Sequence, residues 1–316
     1  VSDKASKKYG PETIGVLVMS YGTPKSLDQV EAYYTHIRHG RPPTKEQLDE
    51  LVNRYEAIVG GFFPLRRNTD AQVEALQETL DRLYPDSKYV CYQGLKHAEP
   101  FIEDGVQAMA ADGITRAVGI VLAPHYSTMS VGSYVKRAQE AAQQAGIRME
   151  FVESYHLHPL MVQAWSERLT RALQKFTEVD PEEVRVLFTA HSLPERIIEM
   201  KDPYPEQLLA SARAIAERTG VEQWQFAWQS AGRTNEPWLG PDILEEMERL
   251  HSEGVDYVLI SPIGFVSDHL EVLYDIDIEA QALARKLGMH LERTEMLNTE
   301  PLYMQTLADV VHEKMK

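Results

Sequence analysis

Two hydrophobic rhythms alternate along the chain. Compact apolar runs closed by turn residues predict strands over 14–19, 89–94, 117–123 and 148–153. A second set covers 184–190, 225–229 and 255–260, with a last strand near Leu291. Between them, apolar residues recur every three or four positions. Leu27, Val30, Tyr33, Tyr34 and Ile37 predict one helix, and Leu48, Leu51, Val52, Tyr55 and Ile58 another. A third is predicted from Asp70, through Val73, Leu76, Leu80 and Leu83, to a stop at Pro85. Later helices are expected near Glu99-Pro100 and over 134–144, 160–176, 205–218, 241–251, 270–287 and 301–315. Continuously apolar strands are buried on both faces, and alternation with helices supplies the cover, so the pattern predicts an α/β fold with parallel sheets.

The halves repeat one another. Residues 15–24 match residues 185–194 without a gap, which sets Tyr21 against His191 at equivalent strand ends. Tyr92-Gln93-Gly94 followed by Glu99-Pro100-Phe101 matches Trp228-Gln229-Ser230 followed by Glu236-Pro237-Trp238, and Asp112-Gly113 leading to Pro124 matches Glu253-Gly254 leading to Pro262. Two similar α/β domains facing one cleft is the simplest reading. A chain of 316 residues also exceeds the size at which a single core usually stops growing.

Composition narrows the chemistry. A net charge of −16 argues against generic nucleic-acid binding, which needs clustered Lys and Arg. One cysteine, Cys91, excludes an internal disulfide framework and a four-cysteine zinc or iron–sulfur site within the chain. Cys91 lies inside an apolar strand and reads as core. Val1–Lys8 leads into no secretory-type apolar core, and no stretch is long enough to span a bilayer, so the expected compartment is the cytoplasm.

Three features could carry chemistry. His191 closes an apolar strand and precedes Ser192-Leu193-Pro194; it is either a crevice imidazole or a strand-end side chain satisfied by backbone. Arg38, His39, Arg41, Lys45 and Arg54, with Arg66 and Arg67 beyond, form either an anion-binding patch or a solvated helix face. Gly60-Gly61 then breaks the helix before Phe62-Phe63-Pro64. Glu271, Asp275 and Glu279, four apart, line one helix face, either as a row of hard oxygen ligands or as a solvated acidic face. No dinucleotide glycine motif, phosphate-binding loop, H-E-x-x-H or G-x-S-x-G elbow occurs.

With HSLP, the strand-end Tyr21, WQS and EPWLGPD, and GFVSDHLEVLYD in hand, the chain resembles the ferrochelatases over nearly its whole length. Within them it is similar to the short, soluble bacterial branch that inserts iron into coproporphyrin III. That branch carries a tyrosine in a YGTP-type first motif and lacks a cysteine-bearing C-terminal extension. The resemblance implies two similar Rossmann-like domains, each a four-stranded parallel sheet flanked by helices. Their expected extents are residues 1–155 with 300–316, and residues 156–299. A porphyrin cleft would lie between them.

Carried over by motif, His191 and Glu271 would be the catalytic, iron-handling pair. His191, neutral near pH 7, would act as base or transient ligand, with Tyr21 an axial ligand to the product iron. Arg38, Arg54, Tyr55, Phe63 and Tyr134 would contact the macrocycle or its propionates, with Lys96 and His97 also at the cleft. Asp275 and Glu279 would form an outer metal site. Two departures bear on propionate binding: Phe63 stands where the branch usually has serine, and His39 where it often has a second arginine. The resemblance implies ferrous-iron insertion in haem biosynthesis, with Fe2+ and porphyrin as the partners. No cofactor is required, although Mg2+ or another divalent ion could occupy the outer carboxylates. A monomer without iron–sulfur cluster or nucleic-acid partner is expected. Protoporphyrin IX metallation, a cobalt chelatase and a non-catalytic tetrapyrrole or metal carrier are the alternatives.

Overall fold

The computed structural model describes residues 12–59, 63–177 and 179–316. The readings made on Val1–Lys8 and on Gly60-Gly61-Phe62 therefore fall outside the described residues. The chain divides into two compact units. Val1–Val52, Gly61–Tyr155 and Tyr303–Lys316 form one; Asn53–Gly60 and His156–Leu302 form the other.

The first unit is built on β1 (Ile14–Ser20), β2 (Tyr89–Leu95), β3 (Arg116–Val121) and β4 (Arg148–Val152), all parallel in the order β2-β1-β3-β4. The second repeats the plan with β5 (Val184–His191), β6 (Trp224–Gln229), β7 (Tyr257–Ser261) and β8 (His290–Arg293), in the order β6-β5-β7-β8. The α/β class and the two four-stranded parallel sheets are thus as the hydrophobic pattern predicts. Val16–Met19 of β1 and Val186–Phe188 of β5 are fully buried, as central parallel strands covered on both faces must be. In the first unit, Leu17 and Met19 pack with Ile102, Val106 and Met109 of helix Ile102–Ala111 and with Val131 and Ala138 of helix Val131–Ala145.

Helix Pro301–Met315 joins the first unit from Tyr303 onward. There Tyr84 donates to Asp309 at 2.7 Å, Tyr84 stacks on His312 at 3.7 Å, and Tyr89 is hydrogen-bonded to His312 at 2.8 Å.

Three predicted elements are corrected. The third helix starts at Pro64, not Asp70 (Pro64–Leu83), because proline fits a first helical turn, where its missing N–H costs nothing. The helix expected from Pro241 begins at Ile243, with Asp242 as its cap: the Asp242 carboxylate accepts from the Leu244 N–H at 2.9 Å. The helix expected over 270–287 is interrupted. An α turn, Leu270–Leu273, passes into a π-helical segment, Asp275–Ala280, before Gln281–Leu287 resumes the α form. The wider turn is visible at Tyr274, whose carbonyl accepts from both the Ile278 and Glu279 N–H groups.

The repeat is real but its register shifts after the first match. Ser20 pairs with Leu95 and the equivalent Ala190 with Trp228, so Leu95 corresponds to Trp228. The Leu95 N–H donates to the Pro100 carbonyl, and the Trp228 N–H donates to the Pro241 carbonyl. Pro100 therefore corresponds to Pro241, not Pro237. The second half carries a longer segment between strand and helix, and that segment holds Ser230 and Trp238.

Candidate active site

In the second unit, β5 delivers His191 to the carboxyl end of the sheet, where open parallel sheets place their ligands. The strand end is braced closely. Gly264 donates its N–H to the Thr189 carbonyl at 3.0 Å, and a Cβ on Gly264 would lie 2.3 Å from the Ala190 Cβ and 2.7 Å from its Cα. On the far side, Ser192 Oγ donates to the Leu239 carbonyl at 2.8 Å, and the Leu239 N–H donates to the Leu193 carbonyl at 2.9 Å. HSLP and WLG are thus one braced layer. Trp238 stands 6.4 Å from the His191 ring.

His191 Nε2 lies 3.4 Å from Glu271 Oε1, with the two side chains 34% and 31% exposed. The other carboxylate oxygen, Oε2, lies 3.4 Å from His269 Nε2. His269 is itself oriented by the Ser267 carbonyl at 2.9 Å from Nδ1 and by the Phe265 ring at 4.6 Å. Gln229, buried at the end of β6, donates to the Glu271 carbonyl and accepts from Thr189 Oγ1, each at 2.8 Å. Glu271 is therefore gripped by backbone and side chain.

Of the carboxylate row, Asp275 is buried against Arg54 and accepts from Ser230 Oγ. Ser230 holds a left-handed backbone (φ 60°), an uncommon state for a residue with a Cβ. Arg54 also lies over the Tyr274 ring at 4.4 Å. Glu279 is exposed, and Tyr55 is buried. Asp277 turns to Arg293, which donates to both of its oxygens at 2.7 and 2.8 Å. Among the described residues no group of three or more His, Cys, Asp or Glu is arranged to hold a metal ion. The i,i+4 spacing thus lines the residues along the segment without making a ready cage, since Asp275 already answers a guanidinium.

Electrostatics separates the carboxylates. Burial works against the His191 cation, but Glu271, the Ser192 carbonyl and Asp275 outweigh it, so the imidazole is raised above its ordinary range. Burial likewise works against the Glu271 anion, but His191 and His269 outweigh it and hold its carboxyl well below the usual range. The pair therefore stands as imidazolium and carboxylate at neutral pH, which corrects the expectation of a neutral His191. Asp275 moves the other way, pushed up to about 6 by burial and by Glu271 and Glu279 against the pull of Arg54.

The first unit holds a second cluster at the end of β1 and β2. Tyr21 follows β1 and is 41% exposed. The Lys96 N–H donates to the Ser20 carbonyl and the His97 N–H to the Tyr21 carbonyl, continuing the strand pairing past the sheet. The Lys96 ammonium donates to Ser133 Oγ at 2.8 Å and lies 4.9 Å from the centre of the Tyr134 ring, which is buried. Burial and Arg137 lower Lys96 to about 8. Arg137 clamps this stretch, donating to the Lys96 carbonyl and forking onto both oxygens of Glu103 at 2.7–2.8 Å. The His97 ring lies 4.6 Å from that of Tyr21, and burial, then Lys96, lowers its pKa to about 3, leaving it neutral. Phe63 is buried at the cap of helix Pro64–Leu83.

Several members of the cationic cluster already have partners. Lys45 pairs with Asp49, Arg54 with Asp275, and Arg66 with Asp70 at 3.6 Å. Arg38 donates to the Arg41 carbonyl at 3.2 Å and sits 5.7 Å from the centre of the Tyr34 ring. Cys91 is a partly buried free thiol pushed up by burial.

Sequence reasoning missed Gln229, Ser230, His269, His36 and Arg137. The first three lie inside the WQS and DHLE motifs it quoted. Each is a polar residue at a strand end or just before a helix start, and that is the signal that could have found them. His36 and Arg137 carry no local signal; their partners are far along the chain.

A model of the ferrochelatase family, described as "Ferrochelatase", matches residues 13–315. The chain is 47% identical to the protein named "Coproporphyrin III ferrochelatase" of Geobacillus thermodenitrificans, over 96% of each chain. It is 45% identical to the "Ferrochelatase" of Herpetosiphon aurantiacus, over 94% of this chain and 97% of that one. Among solved structures, SirB from Bacillus subtilis with Fe3+ is similar in fold, with a TM-score of 0.61 at 15% identity over 96% of this chain and 95% of the other. No helix among the described residues is long and apolar enough to cross a membrane. A family model spanning nearly the whole chain, and relatives near half-identical over nearly their full length, place this chain in the ferrochelatase family.

Proposed function

We propose that this protein inserts ferrous iron into coproporphyrin III, giving the iron porphyrin in a step of haem biosynthesis, and works in the cytoplasm. The observation that carries the reading is the His191–Glu271 pair at 3.4 Å, in a chain 47% identical to relatives named for that reaction.

Metallation requires two pyrrole protons to leave and a desolvated divalent ion to enter. A flat macrocycle hides its nitrogen lone pairs, so binding that bends it is the part remote contacts must support. In this reading Fe2+ meets Glu271 as a hard oxygen ligand and His191 as a nitrogen ligand. The His191 proton must leave first, so iron capture at the pair releases a proton. Once the iron passes from the pair to the porphyrin nitrogens, the freed His191 Nε2 can accept one pyrrole proton and the Glu271 carboxylate the other. Tyr21 is the axial ligand of the product iron. Arg38, Arg54, Lys96, His97, Tyr55, Phe63 and Tyr134 support the macrocycle or its propionates, the cations through charge-assisted hydrogen bonds. The reaction needs no resident cofactor, since the porphyrin supplies the ligand set. Because Asp275 is engaged by Arg54 and Ser230, no step is routed through an outer divalent ion.

The test is anaerobic Fe2+ insertion followed by collapse of the free-base porphyrin spectrum, compared between coproporphyrin III and protoporphyrin IX. Faster turnover with coproporphyrin supports the proposal. Preference for protoporphyrin or for cobalt, or binding without turnover, would replace it.

A further inference from the structure

We propose that His36 is a positioning residue for Tyr21, acting through the ring of His97. The inference rests on the reading of Tyr21 as the iron ligand. Helix Val30–Ile37 meets the Tyr21–Gly22 turn at two points. Tyr33 donates its hydroxyl to the Gly22 carbonyl at 3.1 Å. One turn on, His36 Nδ1 lies 3.0 Å from His97 Nδ1. Residues three apart share a helix face, so one face of this helix holds both sides of the turn.

Each contact has a fixed backing. The His36 ring stacks on Phe101 at 5.1 Å and 24°, and Phe101 is held beside Leu95 by a bridge to the end of β2. His97 is nearly buried, its N–H is committed to the Tyr21 carbonyl, and its ring leans on Tyr21 at 4.6 Å. Gly22 turns the chain with φ +84°, and a Cβ there would meet the Leu95 and Ala98 Cβ atoms at 3.1 Å. Tyr21, by contrast, is 41% exposed, so burial does little to fix its ring. A neutral imidazole has one donor and one acceptor nitrogen. A bond between the two Nδ1 atoms therefore sets the plane of the His97 ring and, with it, the surface against which Tyr21 rests.

The experiment compares His36→Leu, which keeps apolar packing on Phe101, with His36→Asn, which keeps a hydrogen-bonding side chain. The readouts are kcat and KM for Fe2+ insertion into coproporphyrin III, and the tyrosinate-to-iron charge-transfer band of the complex with added ferric coproporphyrin. Tyr21→Phe serves as the reference for the band. Misplacing a reacting group by about 1 Å can cost on the order of a hundredfold, so His36→Leu is expected to lower kcat by about ten- to a hundredfold with KM within about twofold. It should also shift or remove the band, and His36→Asn should recover most of both. Wild-type kcat and band in His36→Leu overturn the proposal; so do equal losses in Leu and Asn, whatever their melting temperatures. A band that persists in Tyr21→Phe overturns the Tyr21 reading instead. A wild-type chain that inserts no iron overturns the proposed reaction, while the ferric complex still reports on His36.

Discussion

His191 and Glu271 hold one another across 3.4 Å, and each is oriented from behind by neighbouring groups. His191 is set by β5 and the Ser192 carbonyl, Glu271 by Gln229 and His269. On the proposed reading, an iron ion approaching the pair would meet ligands whose positions are already determined, and preorganisation of this kind is what keeps a ligand pair effective.

Removing the imidazole should stop insertion without stopping binding. His191→Ala is expected to lower kcat by at least about a hundredfold, the lower range for losing a positioned acid–base group. Porphyrin affinity, read by fluorescence quenching, should stay near wild type. Near-normal turnover would sink the assignment.

The pair should also write itself into the pH dependence of stability. Raised His191 contributes stability that is complete below its ordinary pKa and is lost as pH rises through the folded value. Lowered Glu271 contributes stability present above its ordinary pKa and lost as pH falls through the folded value. Both contributions are therefore full between about pH 4.5 and 6.5, the ordinary ranges of the two groups. The melting temperature of wild type minus that of Glu271→Gln should be greatest there and shrink on either side; a difference flat with pH would contradict the ion pair.

Arg54→Ala leaves a buried Asp275 without its cation. Breaking such a pair from one side costs several kcal/mol when both partners are buried, and about 2 kcal/mol is expected here because the arginine is partly exposed. Arg54→Ala with Asp275→Ala should be more stable than Arg54→Ala alone, by chemical denaturation. No recovery in the double variant would show that Arg54 acts through Tyr274 instead.

Gly264→Ala drives a methyl into Ala190, one residue before His191. Overpacking of this kind costs about 1–3 kcal/mol, and the displaced strand end should lower iron insertion more than Gly240→Ala, where a Cβ meets only the Asp242 N at 3.8 Å. Equal activity in the two variants would show that the close approach has no bearing on the site.

The residues that hydrophobic pattern made legible are those whose environment is repeated along the chain. β1 and β5 read as buried strands because every position from Val16 to Met19 and from Val186 to Phe188 is apolar, and a strand covered on both faces tolerates nothing else. Tyr21 and His191 could be matched because each ends the same strand of a duplicated plan. The register beyond that match was misread, since Glu-Pro occurs at both Glu99-Pro100 and Glu236-Pro237, while hydrogen bonding equates Pro100 with Pro241.

By itself, then, the sequence determined the α/β class, the eight strands, the strand-end histidine and the acidic row. All of these follow from local composition and spacing. Only the tertiary structure decided that Asp275 answers Arg54 across 221 positions of chain, that His36 holds His97 across 61, and that His191 carries its proton against Glu271. Such pairings depend on which side chains the packed helices and strand ends bring within hydrogen-bond reach. A charge is tuned by what surrounds it in space, and nothing local to Glu271, Asp275 and Glu279 distinguishes a carboxylate gripped by two imidazoles from one spent on a guanidinium or one left in water.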